Sequence, residues 1–335
     1  MKHISILVPE GDTSLSNLEA TYKMFTMANS HLERSGQLHL FDVHLVGHSK
    51  ESQLSNGIFS IKPDTTIDQV GKTDLIIIPA IHGDIQTILK LNHAFIPWII
   101  GQYKKGSEVA SLCIGAFLLA KTGLLDGKNC ATHWLMTKEF REMYPEVNLV
   151  NDKIITDEGG VYTSGGAYSS LNLNLYLIEK FVGRKMAVLS SKIFEIDINR
   201  HSQSPFIIFS GQKDHDDKAV VQAQEFIETH FSEKISVDEL CDHFSVARRT
   251  FERRFKRATS NTIIEYIQRV RVEAAKKMLE SDRAGINTVM YDVGYTDPKA
   301  FRELFKKISG MSPIEYRNRY YKEVGKIPTQ VTTTE

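Results

Sequence analysis

The residues whose types and spacing could do chemistry fall into two groups. The first centres on Cys113, in the run Ala110-Ser111-Leu112-Cys113-Ile114-Gly115-Ala116-Phe117. A β-rich stretch passes straight into a helical one there, with the cysteine at the bend and a glycine two residues on. That is the pattern of a nucleophile elbow, a sharp turn that exposes a side chain beside a helix N-terminus. Unpaired amides and the helix dipole at such a turn favour thiolate over thiol, so the expectation is a lowered thiol pKa. His133, in Thr132-His133-Trp134 after the next β-rich stretch, is the companion candidate. Two blander alternatives stay open: a compact buried cysteine, since free cysteine is among the most buried residue types, and a hydrogen-bonded core histidine. The three cysteines, Cys113, Cys130 and Cys241, have no metal-type spacing, so no metal or cofactor is expected.

The second group is cationic. Arg248, Arg249, Arg253, Arg254, Lys256 and Arg257 crowd around Phe251 and Phe255, which lie one helical turn apart. Residues 247–326 hold 19 Lys/Arg against 10 Asp/Glu, a net of +9, and the rest of the chain holds 22 against 31, a net of −9. A formally neutral chain thus hides a basic segment suited to a polyanion. Charge alone favours helix faces that are merely solvated, the usual fate of a charge run.

The elements that must position these cations are legible. Ser236 and Glu239 make a capping box ahead of a short helix to about Phe244. A turn through Ser245-Val246 leads into a second helix, Arg248 to Thr259, giving a helix-turn-helix pattern. Fifty residues on the pattern recurs: Phe251 matches Phe301, Phe255 matches Phe305, Lys256 matches Lys306, and Tyr266 matches Tyr316. Asp297 before Pro298 caps the second copy, Phe301, Leu304, Phe305 and Ile308 form its core stripe, and Gly294 ends the preceding helix. An amphipathic helix from Thr262 to about Ser281 joins the copies.

Upstream, short β-rich runs at Ile4–Val8, Phe41–Val46, Leu75–Ile78, Glu108–Leu112 and Cys130–Thr132 alternate with helical stretches at Leu15–Ala28, Pro97–Lys105, Ala116–Thr122 and Ser169–Phe181. Shorter strands are expected near Asn148–Val150, Ile154–Thr156 and Val161–Thr163. Near-continuous apolar strands suit a sheet covered on both faces. The expected fold class is therefore an α/β sandwich, flavodoxin-like and mostly parallel with helices on both faces, followed by an all-α domain of two tandem helix-turn-helix units. The boundaries read as 1–190 for the first domain, 191–217 for a linker, 218–322 for the double helix-turn-helix domain and 323–335 for a disordered tail. Phe206-Ile207-Ile208-Phe209 is expected to dock on one domain. No signal peptide or membrane-length apolar run is visible, and the scattered cysteines fit a reducing cytoplasm.

The run from Val293 to Pro313, VGYTDPKAFRELFKKISGMSP, resembles the signature of AraC/XylS transcriptional regulators, and the likeness spans about a hundred residues, through Tyr316-Arg317. It departs at Ala247, where the family has a capping serine, and at Ser260-Asn261-Thr262-Ile263, where it has Gly-x-Ser-Pro. The resemblance implies a regulator that binds double-stranded operator DNA, forms a homodimer and meets RNA polymerase, with no membrane partner. On the two recognition helices the base-reading candidates are Arg248, Arg249, Glu252, Arg253, Lys299, Arg302 and Glu303, and the phosphate candidates are Lys256, Lys306 and Lys307.

The segment Cys113 to Trp134, with Gly123-Leu124-Leu125-Asp126-Gly127 inside it, resembles the PfpI-type, class I glutamine amidotransferase-like domain found fused to such modules. Enzymes of that superfamily set an acid beside the thiol. Here Ser14 or Asn17 stands where the acid is expected, and Asn172 stands where related regulators carry aspartate, while Glu10 and Asp12 point elsewhere. Cys113 and His133 persist without matching acids, so catalysis is not expected. The elbow is read as the floor of a small-molecule effector pocket lined by Ser14, Asn17, Cys113, Ile114, His133 and Gly165 with Gly166. The rival reading is a bifunctional protein that retains Cys113-dependent hydrolase, amidase or redox chemistry; a third is a scaffold that only dimerises.

Overall fold

The computed structural model describes residues 1–55, 57–213, 215–281 and 285–321; the expected tail at 323–335 lies outside them. The chain divides into two compact units, residues 1–203 and residues 204 onward. The stretch expected as a linker is shared between them. Helix α7, Arg184–Ile193, runs into it from the first side, and residues up to Gln203 pack with the first unit.

The first unit is built on a seven-stranded sheet. Its strands are β1 (Lys2–Val8), β2 (Phe41–Gly47), β3 (Thr65–Thr66), β4 (Leu75–Ile78), β5 (Glu108–Ser111), β6 (Ile155–Asp157) and β7 (Val161–Ser164). The order across the sheet is β6-β7-β5-β4-β1-β2-β3, and every neighbouring pair is parallel except β6 with β7. Alternation along β4 explains its unbroken apolar run. Leu75 and Ile77 join Ile4 and Ile6 under α1 (Leu15–Arg34) and α6 (Ser169–Val182). Ile76 and Ile78 face the opposite core, with Ile85 and Leu89 of α2 (Ile85–Leu91), Phe95 of α3 (Phe95–Lys104), Phe117 of α4 (Ala116–Ala120) and Phe140 of α5 (Thr137–Met143). All four β4 side chains are buried, as a sheet covered on both faces requires. Strand order reverses about β1 and β4, so the loops after β1, β4, β5 and β7 gather at one end, where open α/β sheets bind ligands.

Two differences from the sequence reading have local causes. Helix α1 continues to Arg34, past Ala28. Asn29 turns its amide to β2: its Oδ1 accepts from Leu40 N and Phe41 N, and its Nδ2 donates to Phe41 O. The runs expected at Cys130–Thr132 and Asn148–Val150 form Asn129–Cys130 and Asn148–Leu149, which pair with each other outside the main sheet.

The second unit contains α8 (Lys218–Thr229), α9 (Val237–His243), α10 (Arg248–Thr259), α11 (Ile263–Ser281), α12 (Ile286–Asp292), α13 (Pro298–Ser309) and α14 (Pro313–Tyr320). Its repeat holds at the level of atoms. Phe251 and Phe255 anchor one core, Phe301 and Phe305 the other, and all four are essentially fully buried. Tyr266 packs edge-on against Phe255 and donates to Glu228; Tyr316 packs edge-on against Phe305 and donates to Glu280. The Thr259 hydroxyl donates to Phe255 O, as Ser309 does to Phe305 O. Thr262 with Glu265 closes a capping box at the start of α11, matching Ser312 with Glu315 at α14, so the departure from the family's serine keeps the cap. Ala247 makes no side-chain cap, whereas Asp297 caps α13 through Lys299 N and Ala300 N. The segment Phe206–Phe209 packs in this unit, where Phe209 N donates to Glu273 and Ile207 O accepts from Lys276 Nζ.

The copies differ at their two left-handed backbone positions. The second copy uses Gly294 (φ +82°) and Gly310 (φ +79°), and the first uses Ser245 (φ +51°) and Ser260 (φ +58°). A side chain there costs about 1–2 kcal/mol. Ser260→Gly should therefore stabilise the first copy by about 1 kcal/mol, part of the gain being offset by added freedom when unfolded. Hydrogen exchange of buried α10 amides should slow by roughly fivefold; unchanged or faster exchange would contradict this.

Candidate functional site

The elbow forms because three elements hold it. Leu112 is extended, residues 113–115 make a single tight turn, and α4 follows. Cys113 sits at φ +55°, a strained position for a side-chain-bearing residue. Gly115 is dictated by a close approach: a Cβ there would lie 2.5 Å from Pro79 O and 2.7 Å from Ile78 O. The bend is fixed by Cys113 N donating to Ser164 Oγ (3.1 Å), Thr132 Oγ1 donating to Cys113 O (3.0 Å) and Ala167 N donating to Cys113 Sγ (3.4 Å).

The thiol does not meet the expectation of a lowered pKa. Cys113 is 3% exposed, and burial pushes its pKa up more strongly than the Ala167 and Ile114 amides pull it down. α4 has only five residues, so its dipole is small. The thiol form is the one this site favours.

The expected pocket residues are distributed as follows. Asn17 is buried, accepts from Ala80 N at Oδ1 and donates from Nδ2 to Ser170 Oγ. Ser170 Oγ in turn donates to Ala167 O, so Asn17 and Cys113 belong to one network through Ala167. Ser14 caps α1 and shares a hydrogen bond with Ser16. Ile114 is buried in the core. His133 is partly buried: its Nδ1 accepts from Leu135 N, and its ring fills the space a Cβ on Gly166 would need. Burial, then the nearby His82, holds its pKa below the usual imidazole value. His133 and Cys113 thus have separate hydrogen-bond partners. Glu10, Asp12 and Asn172 have partners of their own: Glu10 Oε1 accepts from Ser49 and Ser52, Asp12 accepts from Ser55, and Asn172 donates to Asp197 O.

Sequence reasoning missed Ser164, Ala167, Ser170 and above all Gln203. Gln203 is 1% exposed, and a Cβ on Gly165 would meet its amide at 3.0 Å. It accepts from Gly166 N (3.1 Å) and donates to Thr132 O (3.0 Å) and Lys153 O (3.2 Å). It therefore holds the residues next to His133 and Ala167, from a segment with no recognisable motif.

The second site is the pair of helices α10 and α13. Arg249, Arg253, Lys256 and Arg257 are exposed along one face of α10, opposite the buried phenylalanines, and line one concave surface with Thr262 and Ile264. Lys299, Arg302, Glu303, Lys306 and Lys307 are exposed at the matching positions of α13. Position 252/302 pairs Glu with Arg and position 253/303 pairs Arg with Glu, so the helices present different donor and acceptor patterns. Arg248 is held by Asp238 (2.8 Å) and by Glu252 (3.2 Å) in an exposed ion-pair cluster, so both candidates have intramolecular partners. Arg254 makes a two-pronged contact to Asp217 and serves the structure.

An α/β domain with a strand-to-helix cysteine elbow, followed by a double helix-turn-helix, defines a two-part DNA-binding regulator. The model described as DJ-1/PfpI family matches residues 6–180, and that described as helix-turn-helix domain matches residues 240–319. The chain belongs to the DJ-1/PfpI family, among the AraC-type transcriptional regulators that carry this domain at their N-terminus. It is 24% identical over 308 residues to the HTH-type transcriptional regulator GbdR of Pseudomonas aeruginosa, covering 91% of this chain and 81% of that protein. It is 34% identical over 102 residues to the xylose operon regulatory protein of Escherichia coli K12, covering 30% of this chain and 26% of that protein. A Vibrio parahaemolyticus structure described as a transcriptional regulator matches with a TM-score of 0.51 and 25% identity over 57% of this chain and 98% of that one.

With Cys130→Ser and Cys241→Ser removing background, Cys113 should react only at pH above the ordinary thiol range, and more slowly than in unfolded chain. A lowered reaction midpoint would contradict this. Gln203→Ala removes three hydrogen bonds from the surrounding loops and should speed the reaction several-fold; an unchanged rate would mean Gln203 does not hold them.

Proposed function

We propose that this protein is a sequence-specific transcriptional regulator that acts as a homodimer in the cytoplasm, with an N-terminal domain that senses a small molecule. The observation that carries the reading is the repeated pair of helices, each with a buried phenylalanine face and an exposed charged stripe. Helices of this kind read major-groove edges with their N-terminal residues and hold phosphate with their later cations. Arg249, Glu252, Arg253, Lys299, Arg302 and Glu303 are assigned to bases, with Arg248 available once its exposed ion pairs open, since such pairs are worth about 0–1 kcal/mol. Lys256, Lys306 and Lys307 are assigned to phosphate. RNA polymerase is the partner such a regulator would meet at a promoter.

The sensing role rests on the elbow network. A polar effector near Asn17, Cys113 and Gly165 would compete for the amides that now bind Ser170, the thiol and Gln203. Gln203 is the last residue of the first unit, and the chain then docks at Phe206–Phe209 on the second, so a disturbance there reaches the DNA-binding unit along the backbone. In this reading Cys113 does no chemistry. The strained elbow favours a second reading, residual hydrolase or amidase activity, but a buried thiol that, among the described residues, has neither His133 nor a carboxylate hydrogen-bonded to it argues against it.

Arg249→Ala should weaken the cognate site by roughly 10- to 100-fold while leaving non-cognate DNA nearly unchanged. Lys306→Ala should weaken all duplexes alike and lower the salt slope of log K by about one. Quantitative binding across salt concentrations separates the two, and identical behaviour would overturn the sorting.

A further inference from the structure

A cluster of metal-type side chains lies at the end of the sheet opposite the elbow. His3 sits on β1 directly beside Asp42 of β2, and His44 follows two residues on, so alternation puts all three on one sheet face. One ligand atom from each lies within 4.8 Å of the others. The His3 and His44 rings stack at 4.9 Å with 17° between planes.

His3 Nδ1 lies 3.0 Å from the Thr73 hydroxyl, which also has Ser5 Oγ as a donor and His3 O and Leu75 O as acceptors. In the tautomer that donates from Nδ1 to Thr73, Nε2 of His3 carries the lone pair that a ligand needs. A ligating histidine fixed through its other nitrogen is the usual arrangement around a bound metal. His44 Nε2 lies 2.8 Å from Asp42 Oδ1, close enough for both to share one cation once the shared proton leaves. Asp74, which accepts from His3 N, adds negative charge nearby.

We propose that His3, Asp42 and His44 form a binding site for one divalent late first-row metal ion, of the Zn²⁺, Ni²⁺ or Co²⁺ class. Two imidazoles and one carboxylate suit these ions better than the all-oxygen preference of Mg²⁺ or Ca²⁺. Three protein ligands leave a position for water. The site shares no residue with the elbow or with the DNA-binding helices, so it stands apart from the reading given above.

The test uses tag-free full-length protein stripped with EDTA. Titration with Co²⁺ should give a saturable visible absorption at one equivalent, and Zn²⁺ should displace it. Asp42→Asn and His44→Ala, each checked for native far-UV circular dichroism, should weaken Co²⁺ at least tenfold, while His93→Ala should not change it. Absence of saturable binding to the wild type overturns the proposal, as does wild-type affinity in both folded variants. Should one variant unfold, the other decides.

Discussion

Arg271 fixes the geometry on which DNA reading depends. It lies on α11, the helix shared by both repeats, and its guanidinium donates to Phe231 O and Glu233 O after α8 and to Gly294 O after α12. It also lies over the Tyr295 ring at 5.2 Å. One rigid fork thus ties the entry to the first repeat to the turn of the second. Lysine, with a point charge on a flexible stem, could not match three carbonyls in this way. Gly294 completes the joint, because a Cβ there would meet Ser232 O at 2.5 Å. With both repeats fastened to one helix, the separation of α10 and α13 follows from the length of α11 and is set before DNA arrives.

At the elbow a different contest is decided by burial. Backbone amides and a short helix favour the thiolate, and desolvation opposes it. Desolvation wins because the thiol is nearly sealed and α4 is short. The strand-to-helix cysteine sits in surroundings that favour the thiol over the thiolate. The polar groups of the network bind one another, and Gln203 ties them to the exit of the domain.

The regions legible in the sequence were those with local physics. Capping boxes, the Asp297-Pro298 cap, the Phe251/Phe255 and Phe301/Phe305 stripes and the apolar run of β4 all announce themselves within a few residues. The elbow was visible because Gly115 is required by a close approach next to the cysteine. What stayed hidden was non-local. Gln203 meets Thr132 from 71 residues away, and Asn17 meets Ser170 from 153. Neither spacing leaves a pattern. The ion pairs that occupy Arg248 and Arg254 were hidden for the same reason, because their partners Asp238 and Asp217 lie on other elements. The thiol pKa was misjudged since sequence gives the turn but not how completely the side chain is covered.

The measurement that bears most directly on the account is selection of bound duplexes from a random-sequence pool by the full-length protein, followed by sequencing. Two recognition helices fixed by α11 should enrich two short elements on one face of the duplex, centred about 10–10.5 base pairs apart. Shifting one element by half a turn should abolish binding. Enrichment of a single element, of two elements at variable spacing, or of no sequence at all would contradict the claim that both helices read DNA as one rigid unit.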